Sequence, residues 1–182
     1  MLAAMALRDL LGGNEPTPEW LATPEAQQLL TSLPVRRGLY RAMLSATRFH
    51  PEAAKAFAPL VRALLPHEVA FRSQQESDPD DTDGCGFENL YKCALVLFDV
   101  GELVDVMPLF RAKHTNFDTG LGMDGEFLLG AGLHATRDHA AKLAAAGDHQ
   151  AKELLDYLGL MDDNPAEVNS WRTATYSYHL GE

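Results

Sequence analysis

The chain has 182 residues, 46% apolar and 23% charged, which excludes a wholly disordered protein and fits one domain with a real core. Fifteen Lys and Arg stand against 26 Asp and Glu, a formal charge of -11. That field repels nucleic-acid phosphates and anionic membranes, so neither is an expected partner.

The apolar start, Met1 to Leu7, is short, lacks a basic flank and is interrupted by Arg8 and Asp9, so it is a poor leader peptide. No stretch has the length of a membrane span. Residues 2–11 suit a short amphipathic helix ending at Gly12-Gly13. Pro16, Pro18 and Pro24 make the next stretch a linker, in which Trp20 pins the segment to the body. Residues 1–33 therefore read as an N-terminal arm and 34–182 as the main domain. Thr23-Pro24 has the form of an N-cap followed by proline at the first helical position, and that helix is expected to stop at Pro34.

Leu39, Met43, Leu44 and Ala46 give a helical stripe to His50-Pro51, with Arg36, Arg37, Arg41 and Arg48 as its solvated face. A second run, Ala54, Phe57, Leu60, Val61, Leu64 and Leu65, is bent by Pro59 and stopped by Pro66. Together the two runs predict a helical hairpin. Residues 73–86 have the composition of a solvated acidic loop. Registering Gly84 at the sixth position of a calcium loop puts Pro79 and Leu90 where two ligands belong, so the EF-hand reading fails.

Phe87, Leu90, Tyr91, Ala94, Leu97 and Phe98 step by three and four, and Gly101 ends that helix. Asp105 is placed to cap a second one, with Val106, Met107 and Phe110 inward and Pro108 in its first turn. Past residue 126, Phe127, Leu128 and Ala131 give a short helical stretch, and Thr136 to Ala146 a longer one. Asp148 caps a run burying Ala151, Leu154, Leu155 and Leu158. Asn164-Pro165 with Glu167 opens the last helix, expected to turn Val168, Trp171, Thr175 and Tyr178 inward. No segment has a strand partner, so the fold class is all-α, an array of antiparallel helical hairpins or an irregular α/α bundle.

Residues 87–113, with an apolar first helix, Gly101, Asp105-Val106 and Pro108-Leu109, resemble a HEAT-type helical repeat; a looser second pair follows at 124–146. The resemblance implies a helical surface for binding proteins and carries no catalytic residues. The segment His114 to Thr119 also resembles an uncharacterised bacterial family of no assigned activity.

The chemistry concentrates in residues 113–126. Lys113, His114, Asn116, Asp118, Asp124 and Glu126 lie there among three glycines and are the candidate binding residues. They either converge on a ligand or serve as turn formers and caps, with Phe117 and Leu121 anchoring an ordered loop on the helices. A divalent metal on His114, Asp118 and Asp124, or an enzyme site, is the alternative. His134 and His139 are five apart, off the four-residue step of a metalloprotease helix. His50, His67, His149 and His179 read as solvated or capping residues.

Cys93 reads as a core residue, and Cys85, flanked by glycines, would serve as a nucleophile only beside a histidine that the sequence does not specify. On one helix the two cysteines would stand about 12 Å apart, beyond disulfide reach. Reduced thiols fit a cytoplasmic setting. No catalytic, metal or cofactor fingerprint is present. The sequence therefore points to a small acidic interaction module, a scaffold or an inhibitor or immunity-type binder of a basic partner. Trp171, if exposed, is a natural binding anchor.

Overall fold

The structure is a computed structural model that describes residues 11–73, 81 and 84–181. The expected first helix and most of the acidic loop lie outside the described residues. Within them the chain is all-α, with ten α-helices, four 3-10 helices and no strand.

The helices are α1 (Pro18–Leu21), α2 (Pro24–Thr31), α3 (Leu33–Thr47), α4 (Ala58–Ser73), α5 (Asn89–Val100), α6 (Val106–Lys113), α7 (Phe117–Gly122), α8 (Leu133–Ala145), α9 (His149–Leu158) and α10 (Pro165–Leu180). Three start where capping chemistry places them. Thr23 Oγ1 accepts from Ala26 N, Asp148 Oδ1 from Ala151 N, and Asn164 Oδ1 from Glu167 N.

Helix α5 is the axis of the fold. It packs against α3, α4, α10 and the 3-10 helices Pro51–Phe57 and Gly125–Leu129. The run Cys93 to Leu97 is buried whole, as an all-round apolar helix must be. Leu90, Ala94, Leu97, Val106, Met107 and Phe110 join one core cluster. Phe98 is only half-buried there, because it turns toward Trp171, with ring centroids 5.3 Å apart. Leu11, Leu21 and Leu30 belong to the same core, and Trp20 packs on it.

Gly101 ends α5 in the left-handed region, φ 68°. Beside it, the chain leaving the Gly125–Leu129 3-10 helix approaches so closely that a Cβ on Gly130 would lie 2.2 Å from the Phe98 carbonyl oxygen. Both sides of that contact are backbone, so relief requires moving α5. Gly130→Ala should therefore cost about 1–3 kcal/mol or more in a chemical denaturation curve. A loss under about 0.5 kcal/mol would mean that the segments are not held together.

Several expectations are corrected. Pro66 does not stop α4; it sits inside the helix, which continues to Ser73 because Leu64, Leu65 and Glu68 are buried by their neighbours. Arg36 is not on a wet face. It is 3% exposed, its Nε donates to Glu68 Oε1 at 2.7 Å, and its Nη1 donates to the carbonyls of Leu30 and Thr31. Asp105 makes no capping bond, because its carboxylate accepts two bonds from Arg62, at 2.7 and 2.8 Å. In α10 the buried aromatic is Tyr176, whereas Tyr178 is 67% exposed.

Polar contacts set the register of α10. Arg172 forks onto Asp99, with Nε to Oδ1 at 2.6 Å and Nη2 to Oδ2 at 2.8 Å. It also donates to the carbonyls of Thr47 and Arg48 at the end of α3. Tyr176 donates to Asp99 Oδ2 at 2.5 Å, and its hydroxyl also meets Thr47 Oγ1 at 2.6 Å. This cluster binds α3, α5 and α10 together.

Candidate functional site

Residues 113–126 are not one loop. They form the end of α6, the short helix α7 and the start of the 3-10 helix Gly125–Leu129. Asn116 and Thr119 make a reciprocal capping box, with Asn116 Oδ1 accepting from Thr119 N at 2.9 Å and Thr119 Oγ1 from Asn116 N at 3.0 Å. Asn116 Nδ2 also donates to Arg72 O at 2.7 Å, tying α7 to the end of α4.

Lys113 is spent inside the structure. Its ammonium donates to Gly120 O at 2.7 Å and to Met123 O, carbonyls at the C-terminal end of α7. Burial pushes its pKa down, while Asp124 and Glu126 pull it up. His114 is exposed, and its Nδ1 donates to Phe110 O at 2.8 Å. Asp118 is exposed in the first turn of α7, where a carboxylate suits the helix dipole. Glu126 is half-buried. The six candidates thus do not converge. Phe117 and Leu121 do not anchor the segment either: they are 78% and 72% exposed, because polar bonds hold α7 instead. Among the described residues, no three His, Cys, Asp or Glu side chains gather as a metal-ligand set.

One of the six, Asp124, opens onto a groove of about 440 Å³. Phe87, Tyr91, Phe127, Trp171 and Tyr178 line it. Phe127 meets Trp171 edge to face, with centroids 4.8 Å apart, and Phe87 meets Tyr91 in the same way at 6.5 Å. Trp171 is half-buried, and its indole nitrogen donates to Asp124 Oδ2 at 2.8 Å, which fixes the ring. Glu88 stands across the groove, accepting from the Tyr178 hydroxyl at 3.1 Å.

His179 also lines the groove, and it is not a solvated residue as expected. Its side chain is 3% exposed, and burial pushes its pKa down to about 4, so the ring is neutral near pH 7.

Comparison with protein-family models, curated proteins and solved structures finds no match for this chain. The site stands on its geometry alone. Trp171 was visible in the sequence as a possible anchor. The groove was not, because its walls come from residues 87–91, 122–127 and 171–179, which only the fold brings together.

Proposed function

We propose that this protein is an interaction module that takes a basic segment of a partner protein into the aromatic groove. The observation that carries the reading is the combination of aromatic faces and edges with two carboxylates, Glu88 and Asp124, in one open cavity. Aromatic faces attract guanidinium and ammonium groups, and carboxylates pair with them. The chain already makes such a contact within itself, with the Arg72 guanidinium 5.5 Å from the centre of the Phe87 ring. The charge of -11 steers a basic partner inward. Phe117 and Leu121, exposed four residues apart on α7, extend the contact surface, since α7 ends at Gly122 in the groove wall.

A binding role is favoured over an enzyme built on residues 113–126, because Lys113, Asn116 and Thr119 are committed to holding α7. The HEAT-type reading of residues 87–113 draws support from two largely buried helices separated by a left-handed Gly101. A cytoplasmic setting suits two cysteines that form no disulfide. Among the described residues no helix is long and apolar enough to cross a membrane.

Tyr178→Ala tests the reading with little risk to the fold, since that ring is mostly exposed. It should weaken binding of an Arg- and Lys-bearing peptide about five- to tenfold by calorimetry, the effect of losing one good cation–aromatic contact. Equal affinity in the two proteins would take the groove out of the interface.

A further inference from the structure

His179 lines a second cavity, of about 300 Å³, whose charge is opposite to that of the groove. Arg37, Arg41 and Lys92 line it, together with Gly38, Leu44 and Cys85, and among the described residues no carboxylate does. Arg37 and Arg41 lie four residues apart on α3, so they share a face, and Lys92 joins them from α5. Three of the chain's 15 cationic side chains thus meet in one cavity of a protein that is acidic overall.

Nearby acids account for part of this charge. Arg37 pairs with Asp81, and Lys92 lies 3.4 Å from Glu88. Among the described residues, Arg41 has no carboxylate partner. The His179 side chain is 3% exposed, and among the described residues its Nδ1 has no hydrogen-bond partner, its nearest carboxylate being Glu88 at 3.8 Å.

We propose that this cavity binds the phosphate group of a small molecule. Arginine forks match phosphate oxygens, and several cations together suit its double charge. The cavity volume falls at the lower end of small-molecule sites, leaving room for a body beyond the phosphate, with Leu44 as an apolar wall. This cavity adjoins the aromatic groove through His179, but the proposal does not depend on what the groove binds.

Cys85 provides the test. It is exposed and lines this cavity, whereas Cys93 is wholly buried, so alkylation of the native protein reports on Cys85. The rates of iodoacetate, an anion, and iodoacetamide, its neutral analogue, are compared with those of a short cysteine peptide. The net charge of -11 alone would slow iodoacetate. The cavity should instead raise the iodoacetate-to-iodoacetamide ratio about threefold or more above that of the peptide at low salt. Millimolar inorganic phosphate should suppress that excess when chloride at matched ionic strength does not. Arg41→Gln, a change at an exposed helix position, should remove both effects with the circular dichroism spectrum unchanged. A ratio at or below that of the peptide would overturn the proposal. So would a raised ratio to which phosphate and chloride are equivalent, or one that Arg41→Gln leaves intact.

Discussion

Asp99→Ala should destabilise the protein by about 3–5 kcal/mol, the cost of stranding one member of a buried ion pair. The Asp99 side chain is 1% exposed and that of Arg172 13%. Removing the carboxylate takes away both bonds of the fork and leaves the guanidinium only two carbonyls, those of Thr47 and Arg48. The Tyr176 hydroxyl loses the Asp99 acceptor as well and keeps only its contact with Thr47 Oγ1. Tyr176→Phe removes one hydroxyl and keeps the ion pair, so it should cost about 1–2 kcal/mol. The order of the two losses matters as much as their size. Denaturant midpoints that place Asp99→Ala below about 1 kcal/mol, or below Tyr176→Phe, would show that this cluster does not hold α10.

Stability should also carry a pH signature from Glu68. Burial pushes its carboxyl from the ordinary 4.5 up to about 7, against the pull of Arg36. The sign follows from proton binding. Between those two values the folded chain holds the proton and the unfolded chain has released it. The resulting stabilisation is fully present below the unfolded value and is lost as pH rises through the folded one. At 1.36 kcal/mol per unit, the loss amounts to about 3 kcal/mol. The quantity to follow is the stability of the native protein minus that of Glu68→Gln, which isolates this one group. This difference should fall by about 3 kcal/mol between about pH 4.5 and pH 8. A difference that stays flat or rises would mean that Glu68 is charged throughout, held by its 2.7 Å contact with Arg36.

What could be read in advance was local. The caps at Thr23, Asp148 and Asn164 depend on a side chain reaching a backbone amide three residues on, and such bonds form whatever the tertiary context. The stop at Gly101 and the long apolar run of α5 were legible for the same reason. Arg36, Asp105 and Arg172 were not, because each finds its oppositely charged partner in a distant part of the chain. The register of α10 went wrong where apolar stepping was applied to a helix seated by a polar cluster. Stepping from Trp171 to Thr175 to Tyr178 passed over Tyr176, the ring that is buried. Phe117 and Leu121 were assigned to the interior for being apolar, yet α7 is held by Asn116, Thr119 and Lys113 and leaves both outside.

Of the six site residues read from the sequence, Asp124 is in the groove and Lys113 is structural. The surrounding aromatic residues had no signature, since no spacing relates Phe87 to Trp171. That groove carries the functional account, and Trp171 in its wall is a built-in reporter. With Trp20→Phe removing the other indole, Trp171 emission is followed while a peptide rich in arginine and lysine is added, and separately a matched peptide with glutamate in their place. The account predicts a saturable change with the basic peptide, weakened by salt, and none with the acidic one. An equal response to both peptides, or no response to the basic one at concentrations where other basic-segment readers saturate, would contradict it.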